Sequence, residues 1–344
     1  MTTKPELSPK KAGGDPPQRA TSHDVARLAG VSQSTVSRVF RDGASVAKAK
    51  REKVEAAARA LNYRPSRVAR SLTSNRSGMI AVIVTRPSHR AHPEVLYDLG
   101  EEIQRAGNRQ LVFVLPEDRA DRATIDDILS YNVDGVISCA VLEDAAIETC
   151  HTAGVPVVLF NRESPAMPAA SISCDHGAGL RELFSRLPRD GADAMLYLAG
   201  PEGSSVSAAR LSGTRTAAEA AGFTIGRVMH GDFSFDCGRR VMAELATAGE
   251  VPRILLAAND AMALGAVEAC RSDQNLRVPG DVAIVGYDDV PQAAWPSFDL
   301  TTLHQPVRDM AAAAVDMIAT RVATRDYKGE VRRLGATLRW RGTA

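Results

Sequence analysis

The sequence predicts an α/β protein in two parts. A small, basic, all-helical head comes first, followed by a two-lobed body of parallel sheets flanked by helices. Three observations carry this. Of 344 residues, 44% are hydrophobic and 24% charged, ordinary for globular chains and enough for two or three domains. Residues 1–76 carry a net charge of +10 and the remainder −9, although the whole sums to only +1. From Ser77 onward, apolar β-branched runs alternate with amphipathic helical stretches, the pattern of a parallel sheet covered by helices. A basic head points to a polyanionic partner, either nucleic acid or an anionic membrane surface.

The elements follow in chain order. Residues 1–20 are rich in Pro, Gly, Lys and Thr without a hydrophobic period, and are expected to be a disordered tail. Residues 21–65 are read as a three-helix domain. Thr21 or Ser22 caps the first helix, Asp24 sits in its first turn, and Gly30 ends it. Ser32 caps a second helix over 33–40, with Val36 and Val39 inward and Gln33, Ser34, Ser37, Arg38 and Arg41 outward. Two short helices joined by a tight Gly-containing turn make a helix-turn-helix, and the outward residue types suit base edges and phosphates. A plain helical bundle with a charged face would show the same local pattern. A third helix over 48–61 buries Val54, Ala57, Ala58 and Leu61. Residues 66–77 read either as a flexible linker or as a helix too short to be stable without a partner.

The body spans 78–344. Candidate strands are 79–84, 110–115, 135–140, 155–160, 194–199, 253–258 and 282–287, with helices such as 95–106 and 260–271 between them. The strands are continuous apolar runs, as strands buried on both faces require. So many βα units favour two lobes over one large sheet. No apolar run approaches a membrane span. No charged-then-apolar leader opens the chain, and the five cysteines form no C-x-x-C pair. A reducing, cytoplasmic setting is expected, with no metal and no cofactor. No phosphate-loop, dinucleotide, H-E-x-x-H or G-x-S-x-G signature is present, so no enzyme is expected.

Several segments carry a resemblance: HDVARLAGVSQSTVSRV (23–39), REKVEAAARALNYRPSRVARSL (51–72), AGP (199–201), RLSG (210–213), ANDAMALGA (258–266), VPGDVAIVGYDD (278–289) and LTTLHQP (300–306). In this order they closely resemble the lactose-repressor (LacI/GalR) family of bacterial transcription regulators, over about residues 21–325. The body resembles the periplasmic sugar-binding proteins. The resemblance implies an N-lobe of about 78–174 plus 306–325, and a C-lobe of about 175–303 plus C-terminal residues. It implies that Gln33 and Ser34 read the major groove, that Thr35 and Ser37 contact phosphates, and that Arg38 reaches a guanine or the backbone. Residues 66–73 would be a hinge helix that folds on a pseudo-palindromic operator, with Arg67 beside the DNA and Leu72 as a minor-groove wedge. A homodimer is implied. Three departures stand out: Val46-Ala47 offers no N-cap for the third helix, Arg41-Asp42 follows the second, and Ser66 precedes the hinge Arg.

For the body, ligands of α/β lobes sit at the carboxyl ends of strands. The candidate effector residues are Asn161, Asn259 and Asp288 at such strand ends, Arg210 and Phe233, which the resemblance implies as the effector anchor and the stacking aromatic, and Ser205, Ser207 and Gln305. Amides, a carboxylate and an arginine beside one aromatic suit a sugar or sugar derivative, and Arg162 could hold an anionic group. The plain alternatives are that Asn259 or Asp260 caps the next helix and that Phe233 is core. Asp175 is expected to cap the helix near His176, and His151, His176 and His230 to be surface or capping residues. The function expected is a DNA-binding regulator, a repressor whose operator affinity a carbohydrate-like effector controls. A regulator of opposite sign, a sugar-transport protein and a DNA-tethered enzyme are the alternatives. The stretch LGATLRWRGTA after Arg333 is shorter than three heptads, so a tetramer through a heptad tail is not expected.

Overall fold

The structure is a computed structural model. It describes residues 20–40, 45–64, 76–85, 94–163, 169–191, 195–273 and 275–344. The tail over 1–19, Arg41, Ser66, and the hinge residues Arg67 and Leu72 lie outside the described residues. The chain divides into two compact units, 1–77 and 78–344.

In the first unit, α1 (Ser22–Ala29) opens on a capping box. The Thr21 side chain accepts from the Asp24 N–H, and the Asp24 carboxylate accepts from the Thr21 N–H at 2.9 Å. Gly30 closes the helix at φ +64°, a left-handed cap that favours glycine. Ser32 caps α2 (Gln33–Val39) by accepting from the Thr35 N–H. α3 (Lys48–Ala60) starts at Ala47 without a side-chain cap, as the Val46-Ala47 departure implied. Arg51 compensates elsewhere by donating to the Val39 carbonyl at 3.0 Å, at the end of α2. The core is Val25, Ala26, Val36, Val39, Val54, Ala57 and Ala58, with the Phe40 and Tyr63 rings 6.0 Å apart beside it.

The second unit holds two six-stranded sheets. Its first lobe comprises β1 (Met79–Thr85), α4 (Glu94–Arg105), β2 (Arg109–Leu115), β3 (Arg119–Ala120), α5 (Arg122–Ser130), β4 (Gly135–Ser138), β5 (Val141–Leu142), α6 (Asp144–Thr152), β6 (Val157–Phe160) and β7 (Ala170–Asp175). The second comprises α7 (Gly177–Arg186), β8 (Met195–Ala199), α8 (Ser205–Ala220), β9 (Ile225–His230), α9 (Phe235–Ala248), β10 (Ile254–Ala257), α10 (Asp260–Glu268), β11 (Ala283–Asp288) and β12 (Thr301–His304). The chain returns through α11 (Val307–Thr324) and β13 (Val331–Gly335) and ends on β14 (Thr337–Arg339).

The first sheet runs β13-β7-β6-β4-β1-β2, all parallel. The second runs β14-β12-β11-β10-β8-β9, parallel except for the antiparallel β12–β14 pair. The expected lobe boundary needs one correction: residues 331–335 belong to the N-lobe. Their backbone pairs with β7 from Val331↔Ser171 to Gly335↔Asp175, which fills that sheet edge before the chain crosses a third time. The helix expected over 260–271 also stops short, at Glu268, and continues as a five-residue π-type turn.

β1 shows why these strands are apolar throughout. Ile80, Val82 and Val84 face α4 and α11, whereas Ala81 and Ile83 face the cluster of Ile125, Ile128 and Ile147. In the second lobe α9 and α10 cross at two glycines. A Cβ on Gly238 would lie 1.9 Å from the Met262 carbonyl oxygen, and one on Gly265 2.0 Å from that of Phe235. Gly238→Ala is therefore expected to cost about 3 kcal/mol in denaturant unfolding, because backbone must separate. Gly213→Ala is the control. It lies inside α8 with only the Leu180 side chain near, at 3.9 Å, and should be neutral or gain about 0.5–1 kcal/mol from helix propensity.

Candidate functional site

The first candidate surface is α2. Gln33, Ser34, Ser37 and Arg38 are exposed along it, and Thr35 is half-buried. Short local bonds arrange them. The Ser32 hydroxyl lies 2.9 Å from both the Ser34 and Thr35 hydroxyls, and Arg38 Nε donates to the Ser34 carbonyl at 3.4 Å. Gln33 Nε2 has only a long contact, 3.4 Å, to Ser22 Oγ. The helix thus presents an amide, hydroxyls and a guanidinium outward, a set able to pair with base edges and phosphates.

The second is a cavity of about 310 Å³ between the strand ends of the two body sheets. Among the predicted residues, Asn161, Arg210, Phe233 and Asn259 line it. Asp288 and Gln305 stand behind the wall rather than in it. Arg210 is 3% exposed; its Nη2 meets Asp288 Oδ1 at 2.8 Å and its Nη1 donates to the Ala258 carbonyl at 2.6 Å. Gln305 Nε2 donates to the same Asp288 oxygen at 2.7 Å, and Asn161 Nδ2 donates to Gln305 Oε1 at 3.3 Å. One buried polar chain therefore links Asn161, Gln305, Asp288 and Arg210. Burial works against the charge of Arg210, and Asp288 together with the Tyr287 and Tyr197 side chains more than offsets it, raising the pKa and holding the guanidinium protonated. Its ring neighbour is Tyr287, whose centroid lies 4.7 Å from the guanidinium carbon. Arg210 Nε is buried and makes no hydrogen bond.

The backbone is unusual here. Asn161, Phe233 and Asp288 all take positive φ (55°, 64° and 125°), conformations that non-glycine residues adopt at a cost. Phe233 is pinned from two sides. Asn259 Nδ2 donates to its carbonyl at 3.0 Å, and its ring lies where a Cβ on Gly200 would stand, 2.0 Å away. Asn259 also accepts from the Met262 N–H at 3.0 Å, so it both caps α10 and shapes the cavity. Phe233, half-buried, touches the second-lobe core and the cavity alike.

Some expectations change. Ser207 is buried and bonds the Gly200 N–H at 2.9 Å, holding the loop after β8 rather than facing the cavity. Ser205 bonds Arg162 Nη1 at 3.1 Å across the cleft. Arg162 offers no free charge, because both Asp118 oxygens take its Nη2 at 2.6 and 2.7 Å. Asp175 does accept from the Gly177 N–H at 2.9 Å. His176 stands at the N-cap position of α7 without a side-chain cap bond; its ring packs edge-on to Tyr287 at 4.7 Å, and burial, then Arg210, pushes its pKa down to about 3. Sequence reading missed Asp118, and it missed the apolar wall of Val84, Leu96, Phe160, Val307 and Met310. Strand ends signal polar ligands, and nothing marks a strand's last valine as a cavity residue. No group able to hold a metal occurs among the described residues.

Asp260 is a hidden partner of this network. Fully buried, it takes the Thr302 hydroxyl at 2.5 Å and the Val290 N–H at 2.9 Å. Burial, reinforced by Asp288, pushes its pKa up to about 7 from an ordinary 3.8. Because the folded value is raised, its contribution is complete below the unfolded pKa and is lost as pH rises through about 7. Asp260→Asn keeps the shape and should flatten this fall in unfolding free energy between pH 4 and 7, a few kcal/mol at about 1.4 per unit. An unchanged pH profile in the variant would place the proton elsewhere.

Two family models match the chain: "Bacterial regulatory proteins, lacI family" over residues 21–66 and "Periplasmic binding protein-like domain" over 184–344. The ribose operon repressor of Escherichia coli K12 is 30% identical over 331 residues, spanning 94% of this chain and all of that protein. The lactose operon repressor of the same strain is 33% identical over 303 residues, 87% and 83% of the two chains. The regulator CelR of Thermobifida fusca is 33% identical over 316 residues, 88% and 92%. Among solved structures, the Lac repressor dimer bound to operator and the anti-inducer ONPF matches with a TM-score of 0.83, 29% identity and 95% and 99% coverage. A CelR–cellobiose complex matches with a TM-score of 0.67, 28% identity and 95% and 100% coverage. From its helix-turn-helix head to its two-lobed body, the chain belongs to the LacI family of bacterial regulatory proteins.

Proposed function

We propose that the protein is a cytoplasmic transcriptional repressor, acting by binding rather than catalysis. As a homodimer it sets two α2 helices on a pseudo-palindromic operator, with Gln33 and Ser34 on base edges and Thr35, Ser37 and Arg38 on the backbone. The hinge roles of Arg67 and Leu72 belong to the same reading and fall outside the described residues. A small sugar or sugar derivative in the body cavity weakens operator affinity by favouring a second arrangement of the lobes.

The observation that carries the ligand site is Arg210. A guanidinium that lines the cavity while buried and fixed by Asp288 and the Ala258 carbonyl is preorganised for a polar ligand. The relatives named for ribose, lactose and cellobiose support a carbohydrate in that role. The test is selection of bound fragments from sheared genomic DNA by the purified protein. A short two-fold-related sequence is the expected result. No enrichment, with or without candidate sugars, would reopen the transport and enzyme readings.

A further inference from the structure

The charged groups around the cavity are arranged in a way that bears on what it accepts. Two cations line it among the described residues, Arg162 from the first lobe and Arg210 from the second. Each is already matched by a carboxylate. Arg210 pairs with Asp288 behind the wall, and Arg162 gives one nitrogen to both oxygens of Asp118. Two further donors of Arg162 are engaged: Nε on the Cys139 carbonyl at 2.6 Å and one Nη1 N–H on Ser205 Oγ at 3.1 Å. A third carboxylate, Glu202, is exposed at the rim. The opposing first-lobe wall is Val84, Leu96, Val307 and Met310, which offers an anion nothing.

A carboxylate or phosphate entering this cavity would displace Asp118 from a fourfold-bonded guanidinium or meet Glu202, which pairs with no cation among the described residues. A neutral hydroxylated ligand meets neither penalty, and its apolar face suits the first-lobe wall. We propose that the Asp118–Arg162 pair is a charge filter that makes the cavity selective for neutral ligands over carboxylated or phosphorylated ones. This deepens the effector-site reading and rests on it. Asp118 acts by occupying Arg162, so it is a specificity-determining residue without needing to touch the ligand.

The test uses the full chain at constant ionic strength, with inorganic phosphate as the first probe. Thermal-shift and calorimetric titrations compare the wild type with Asp118→Asn, Asp118→Ser and Asp118→Asn/Arg162→Gln. Phosphate should bind either Asp118 variant at least about ten-fold more tightly than the wild type, and the gain should vanish in the double variant. Matched sugars follow: glucose, galactose and ribose against glucuronate, galacturonate and ribose 5-phosphate. The wild type should favour the neutral member of any pair that binds, and Asp118→Asn should shrink that preference. Wild-type phosphate binding that Arg162→Gln abolishes overturns the filter. So does an Asp118→Asn protein with no added phosphate affinity, or a wild type that prefers the anionic sugar. Operator affinity of the same preparations reads the regulatory assignment separately. A protein that selects an operator yet prefers anionic ligands has lost only the filter.

Discussion

Arg210→Ala is expected to abolish ligand control of operator binding and to cost about 3–5 kcal/mol of folding stability. The stability loss follows from what remains. Asp288, 4% exposed, would keep the Gln305 amide at 2.7 Å but lose the Arg210 guanidinium that matches its charge. The functional loss follows from the cavity, which Arg210 lines. The two effects separate in Arg210→Met/Asp288→Asn, which removes both charges and keeps volume. Much of the stability should return, since a neutral pair leaves no buried charge unmatched, while the ligand response stays lost. Denaturant unfolding and operator titration with and without ligand read the two quantities. A double variant that recovers the response would reduce Arg210 to a structural role.

The second large effect belongs to α2. Gln33→Ala should weaken operator binding by about 10–100-fold, the 1–3 kcal/mol typical of a lost base-edge contact, and relax the sequence preference at one position per half-site. Gln33 is exposed and its side-chain hydrogen bond among the described residues is a long one, 3.4 Å to Ser22, so folding should not suffer. Arg38→Ala should behave differently. As a cation on the same face it should weaken specific and non-specific DNA alike and flatten the salt dependence by about one phosphate's share. Equal losses on both DNAs for Gln33→Ala would remove it from base readout.

Much of the fold is legible because the physics is local. Continuous apolar runs announce the strands buried on both faces, and Thr21, Gly30 and Ser32 announce the head's helix boundaries through backbone bonds they alone can make. The strands that escape notice, β7, β9, β12 and β13 among them, lack a continuous apolar run. β12 is half threonine, and its hydroxyls are satisfied from 40 or more positions away: Thr301 Oγ1 donates to the Arg341 carbonyl at 3.0 Å and Thr302 Oγ1 to Asp260. β9 is an edge strand whose exposed Gly226 and Arg227 interrupt its apolar character. β13 reads as charged because only one side of it is covered. The site divides the same way. Asn161, Arg210, Phe233 and Asn259 follow from strand ends and from family motifs. Asp118 follows from neither, since its importance lies in a pair made with Arg162, 44 positions on. Ser207 looked like a ligand contact because sequence cannot say which of the serines beside Gly200 turns inward.

The central claim is that occupancy of the body cavity sets the affinity of the head for DNA. The most direct measurement is a fluorescence-anisotropy titration of the selected operator, at fixed salt, with and without a saturating ligand whose binding requires Arg210. A 5- to 150-fold loss of operator affinity, absent in the Arg210→Met/Asp288→Asn protein, is the predicted result. An operator affinity that stays the same while the cavity is demonstrably filled would contradict it.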